Sequence, residues 1–251
     1  MIANRLHTGT VRVRWLSLED CPQAYIVRCR AFLDAAETAQ ADRFHFAADR
    51  NAYIAAHGLL RVMLSEAAEL GPALWRFVNG TRGKPMIAPG LTYESIQFNI
   101  SHTRGIVACA LVRHFNIGLD LEVADRWRGD YATVCGNFCS DEATLVLEAP
   151  PSRRSDLFFR LWTLKESFVK ATGEGLHRPL NSFSFQFDPV RIVLHSVSGN
   201  AGYRAEASHW QFAEFHPAPH RLLAVTVGCG HARVSFDASA MHPDAIASWF
   251  G

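Results

Sequence analysis

Ile117-Gly118-Leu119-Asp120-Leu121-Glu122-Val123 alternates along its whole length between branched apolar residues and small or acidic ones. In a strand, successive side chains point to opposite faces, so Ile117, Leu119, Leu121 and Val123 share one face and Gly118, Asp120 and Glu122 the other. Two carboxylates about 6.5 to 7 Å apart on one face can both reach a hard cation, and they repel if buried without one. An edge strand with a solvated polar face would carry the same pattern, so the stretch marks a strand and leaves its chemistry open. Residues 96–100 and 106–112 precede it as two further strands paired across a short turn.

Outward from there, helix and strand signals alternate. Val11, Val13 and Trp15 mark an opening strand. Phe44, Phe46, Tyr53, Ala56, Leu60 and Leu64 recur at helical spacing and predict one long helix over 41–64. Ser140-Asp141-Glu142 reads as a helix start, Pro150-Pro151-Ser152 as a break, and residues 156–171 as a second strong helix ended by Gly173-Glu174-Gly175. Short strands follow at 183–187, 192–194 and 222–227. The expected class is α/β in the broad sense (α+β), with a long helix and hairpins in each half of the chain.

The 251 residues, 49% hydrophobic and 20% charged, have the composition of one large or two small globular domains and exclude a disordered chain. With 25 Lys+Arg against 24 Asp+Glu, the formal net charge is +1, which gives no global field for a nucleic acid or an anionic membrane surface. The longest apolar runs, 106–112 and 222–227, are far shorter than the ~20 residues of a membrane-spanning helix. The opening residues lack the apolar core of a secretory signal, and the six cysteines are scattered, so a reducing, cytoplasmic setting is expected. Cys135-x3-Cys139 has no second close pair to complete a zinc site.

The second helix carries Trp162-Thr163-Leu164-Lys165-Glu166-Ser167-Phe168-Val169-Lys170, which aligns Trp162, Glu166 and Lys170 one turn apart with Lys165 beside them. An ordinary surface Glu-to-Lys pair fits that spacing. The apolar Phe158, Leu161, Leu164, Phe168 and Val169, however, concentrate the few charges on a narrow strip, as on a helix lining a cleft. Phe98-Asn99-Ile100-Ser101-His102 leads a strand into a turn of phosphate-contacting residue types. Gly83-Lys84-Pro85 reads as a tight turn.

In this order, Gly83-Lys84-Pro85, Phe98-Asn99-Ile100-Ser101-His102, Gly118-x-Asp120-x-Glu122 and Trp162-x-x-Lys165-Glu166-x-x-x-Lys170 resemble the 4′-phosphopantetheinyl transferases, specifically the monomeric surfactin-synthetase-activating type. The likeness is tight over 82–176 and looser outside. It implies two similar halves related by a pseudo-twofold, 1–115 and 116–251, with coenzyme A in the cleft between them. It implies magnesium on Asp120, Glu122 and Glu166, the nucleotide 3′-phosphate end on Lys84, Ser101 and His102, and the pyrophosphate on Lys165 and Lys170. Asp120, Glu166 and Lys170 then form the catalytic set, with Glu166 or a metal-bound water as base. The implied partners are acyl or peptidyl carrier proteins, met by a monomer, with Arg126, Arg128, Arg153, Arg154 and the segment from Gly173 onward available for docking. One departure stands out: where many relatives carry basic residues shortly before the Arg-Phe pair, this chain has Glu37 and Gln40. Arg43, Arg50 and Arg61 are the candidates to compensate, and Arg43 alone joins the site. A non-catalytic coenzyme A-binding or carrier-binding module and a magnesium-dependent phosphodiesterase are the competing readings.

Overall fold

The structure, a computed structural model, describes residues 6–19, 21–80, 83–90, 92–124, 129–195, 207–244 and 249. Arg126 and Arg128 lie outside them. The first elements are β1 (Thr10–Ser17), α1 (Gln23–Phe32), α2 (Ala35–Asp42), α3 (Ala47–Ala67), β2 (Phe77–Asn79), β3 (Pro85–Ile87), β4 (Ile96–Thr103) and β5 (Ile106–Arg113). There follow β6 (Asn116–Val123), α4 (Tyr131–Cys135), α5 (Ser140–Leu147), α6 (Pro151–Thr172), β7 (Phe183–Gln186), β8 (Arg191–Leu194), β9 (Trp210–Phe215), β10 (Arg221–Gly228) and β11 (Ser235–Ala240). The α+β class is as expected.

The chain divides into two units, Met1–Phe115 with Ser235–Gly251, and Asn116–Val234. In the first, a sheet ordered β11-β1-β5-β4 packs against α3, whose buried Ile54, Leu59, Val62 and Met63 belong to one core with Phe98, Val107, Cys109 and Leu111. In the second, the sheet β6-β10-β9 packs against α6, and Phe158, Leu161, Leu164 and Phe168 join Phe183, Phe185 and Ile192 in a separate core.

Three expectations change. The helix expected over 41–64 is two helices: the capping box of Asp34 and Glu37 starts α2, which ends at Asp42, and Phe46 is 65% exposed where the chain turns before α3. Pro150-Pro151 does not break a helix but starts one, because Pro151 occupies the first turn of α6, where its missing N–H has no partner to lose. The second half does not run to residue 251, since β11 pairs in parallel with β1, Thr10 opposite Ser235 through Trp15 opposite Ala240. Arg14 fastens that strand through Asp237 at 2.8 Å.

Candidate functional site

The polar face of β6 is covered by α6, so the open-edge reading of the Gly118-Asp120-Glu122 pattern does not hold. Gly118 allows this approach: a Cβ there would overlap the carbonyl oxygen of Ser167 and the amide nitrogen of Ala171. From Gly118 to Glu122 a strand rises about 13 Å, and from Trp162 to Ala171 a helix rises about 13.5 Å. The two elements therefore keep step in opposite directions. Ala171 lies over Gly118, Lys170 Nζ donates to Asp120 Oδ1 at 2.6 Å, and Trp162 Nε1 donates to Glu122 Oε1 at 3.2 Å. The Ser167 and Thr226 hydroxyls, 2.7 Å apart, tie the same helix to β10.

These carboxylates are uncomfortable together. Burial, then the charge of Asp120, pushes the Glu122 carboxyl up to about 7. Burial and Asp120 likewise raise that of Glu166. Asp120 is 4% exposed. Oxygen donors that resist ionising beside one another are suited to a hard divalent cation, which lowers such values by its own charge. The side chains as they stand do not close around one point: among the described residues no three His, Cys, Asp or Glu groups form a metal cluster. Donor chemistry thus fits magnesium, which keeps several positions for water and substrate phosphate.

Lys165 does not belong to this face. It is wholly buried, its Nζ 2.7 Å from Glu142 Oε2 and donating at 2.8 Å to the carbonyls of both Leu180 and Phe183. An ammonium has three donors, and all are used; the Phe183 ring, 4.4 Å away, lies against the same cation. Glu142 also accepts from the Phe185 amide at 2.9 Å, so the pair joins α5, α6 and β7. The pyrophosphate role expected of Lys165 is therefore corrected to a structural one. The pattern of residues on the helix could not show this, because Glu142 lies 23 positions earlier in the chain and reads locally as no more than a helix-start residue.

In the first unit, Ser101 is 8% exposed near the end of β4, His102 beside it is exposed, and Lys84 precedes β3. Burial lowers the Lys84 ammonium to about 8. Arg43 is exposed at the end of α2. Arg61 cannot compensate as expected: it is fully buried, paired with Glu37, and donates to the carbonyls of Pro72 and Trp75 at 2.9 and 3.0 Å. Glu37 also accepts from His57 Nδ1 at 2.8 Å. Beside this network lies a cavity of about 390 Å³ bounded by α2, α3, the β2–β3 hairpin and β4, a feature with no signal in the residue pattern.

The chain matches two family models, "4'-phosphopantetheinyl transferase, N-terminal" over residues 21–113 and "4'-phosphopantetheinyl transferase superfamily" over 116–227. It is 32% identical over 214 residues to the 4′-phosphopantetheinyl transferase HetI of Nostoc sp., covering 85% of this chain and 86% of that one. It is 32% identical to the 4′-phosphopantetheinyl transferase Sfp of Bacillus subtilis, covering 62% of this chain and 67% of the relative. The rat L-aminoadipate-semialdehyde dehydrogenase-phosphopantetheinyl transferase is 25% identical over 86% of this chain and 74% of its own length. The chain is a transferase. It belongs to the 4′-phosphopantetheinyl transferase family.

Proposed function

We propose that this enzyme moves the 4′-phosphopantetheine arm of coenzyme A to a serine of an acyl or peptidyl carrier protein. In this reading the serine oxygen attacks the β-phosphorus, the bond from that phosphorus to the bridging oxygen breaks, and 3′,5′-ADP leaves. Glu166, whose carboxyl burial and the charge of Asp120 raise above the ordinary value, takes the serine proton. Lys170 meets the pyrophosphate from its place beside Asp120, and positioning with charge neutralisation supplies most of the rate, as in phosphoryl transfer generally. Asp120 and Glu122, with Glu166, would hold magnesium, whose charge would neutralise the pyrophosphate. Lys84, Ser101, His102 and Arg43 of the first unit take the nucleotide end. Arg153, Arg154 and the segment after Gly173 are the docking candidates for the carrier. No helix among the described residues is long and apolar enough to cross a membrane; a cytoplasmic location and a monomeric state are part of the proposal.

The observation that carries the reading is the laying of α6 across β6, which sets Lys170 on Asp120 and Trp162 on Glu122 with Glu166 in the same field. Intact mass spectrometry of apo carrier domains with enzyme, coenzyme A and Mg²⁺ tests it. A phosphopantetheine mass gain on the serine, lost with a chelator and in Glu166→Gln, is expected. Free phosphopantetheine without any carrier would favour the phosphodiesterase, and tight coenzyme A binding with no mass gain the binding module.

A further inference from the structure

The cavity in the first unit is unlike a phosphate site. Asp34, Glu37, Gln40, Tyr53, His57 and Asn79 supply its polar lining, and among the described residues none that line it is Lys or Arg. Glu37 is ionised, its carboxyl brought to about 2 because the hydrogen bond from His57, the charge of Arg61 and the Asp34 amide outweigh its burial. Arg61 is fully buried and held by Glu37 and two backbone carbonyls, so its charge is matched to Glu37. The space is therefore edged by carboxylates, imidazole and amides, with the rings of Tyr53 and Phe77 for stacking. A volume of about 390 Å³ lies within the usual range for small-molecule sites.

The position of the cavity links it to the donor, and this step rests on the transferase reading above. Pro85 and Ile100 line it, and they adjoin Lys84 and Ser101; Gln40, at its exposed edge, precedes Arg43 by one helical turn. Those are three of the four residues assigned to the nucleotide, yet none of them lines the cavity. The nucleotide end of coenzyme A comprises a neutral base with an amino donor, a ribose with hydroxyl donors, and a 3′-phosphate. A phosphomonoester carries nearly two negative charges at neutral pH. The partly exposed Asp34 carboxylate can accept from the amino and hydroxyl groups, and with Glu37 already matched by Arg61 the described lining offers the phosphate no cation. We propose that this chain recognises the base and ribose of its donor and gains little from the 3′-phosphate, so that 3′-dephospho-coenzyme A serves as a donor on a par with coenzyme A. Transfer from it balances in the same way: the serine oxygen bonds to the β-phosphorus, the bond to the bridging oxygen breaks, and 5′-AMP leaves in place of 3′,5′-ADP.

The test compares kcat/KM for the two donors with one carrier protein, read by intact mass. A ratio within about fivefold, near 1 kcal/mol, is expected; a larger preference for coenzyme A overturns the proposal. Gln40→Lys places a cation at the exposed edge of the cavity and should raise the ratio in favour of coenzyme A by roughly tenfold, whereas an unchanged ratio would put the 3′ position elsewhere and overturn the assignment. If neither donor transfers, the transferase reading fails separately. Calorimetric dissociation constants for the same two compounds then decide, equal binding supporting the pocket assignment and weaker binding of the dephospho form rejecting it.

Discussion

The two faces of α6 carry lysines five residues apart in opposite circumstances. Lys165 has a side chain 0% exposed, with a carboxylate and two carbonyls taking its protons. Lys170 is 30% exposed and sits against a nearly buried aspartate whose neighbours Glu122 and Glu166 are both held above their ordinary values. One charge is saturated by its own fold, and the other stands among carboxylates that gain from a ligand. Under the proposed function, saturation separates a structural lysine from one that meets the substrate, although both belong to the same short motif.

The largest effect should come from disturbing the saturated face. Lys165→Met strands the Glu142 carboxylate in the core and should cost about 3–5 kcal/mol of stability, as broken buried pairs do. Adding Glu142→Met should recover much of that loss, because no charge then remains unpaired. Denaturant titration measures both. A Lys165→Met enzyme of ordinary stability that has lost transfer would reverse the assignment.

Lys170→Met should do the opposite. Transfer should fall by about 10²–10³, while stability changes by about 1 kcal/mol, as for a partly exposed ion pair. Carrier modification and denaturation curves on one preparation read the two quantities. A stability loss matching that of Lys165→Met would erase the contrast between the faces.

Gly118 sets the spacing on which the functional face depends. Gly118→Ala forces a methyl group into the backbone of α6 at Ser167 and Ala171 and should destabilise by about 1–3 kcal/mol. Because the helix must move outward, transfer should fall with it. Normal activity and stability together would mean that the helix has room to spare.

How far the residue pattern foretold this depended on the range of the interaction. Alternation over 117–123 and helical spacing over 156–171 are local, and both elements are present, the helix starting five residues earlier at Pro151. The role of Gly118 was half legible: its place on the polar face was visible, but the helix backbone lying on it was not. Lys165 was misassigned because its partners Glu142, Leu180 and Phe183 come from elsewhere in the chain. Phe46 fits the helical period yet lies in a turn, since the capping box at Asp34 and Glu37 starts α2 earlier and α2 ends before it. The departure at Glu37 and Gln40 was legible as composition, and only the fold showed that Glu37 turns to Arg61 and His57 and that Gln40 edges a cavity.

Glu37 extends the comparison to the first unit, where a second buried carboxylate is saturated by a buried cation. Its folded-state value of about 2 lies below the ordinary 4.5. A carboxyl depressed in this way contributes stability that is present above its unfolded value and is lost as pH falls through its folded one. At about 1.4 kcal/mol for each pH unit separating the folded and unfolded values, the contribution is roughly 3.5 kcal/mol, fully present at neutral pH and withdrawn between about 4.5 and 2. The groups facing it are His57, Arg61 and Asp34. Glu37→Gln should therefore lower stability at pH 7 and flatten its acid dependence in that window, as measured by denaturant unfolding at a series of pH values. A variant whose acid limb runs parallel to that of the unaltered protein would assign the acid sensitivity to other carboxylates and leave Glu142, paired with Lys165, as the saturated carboxylate on which the contrast rests.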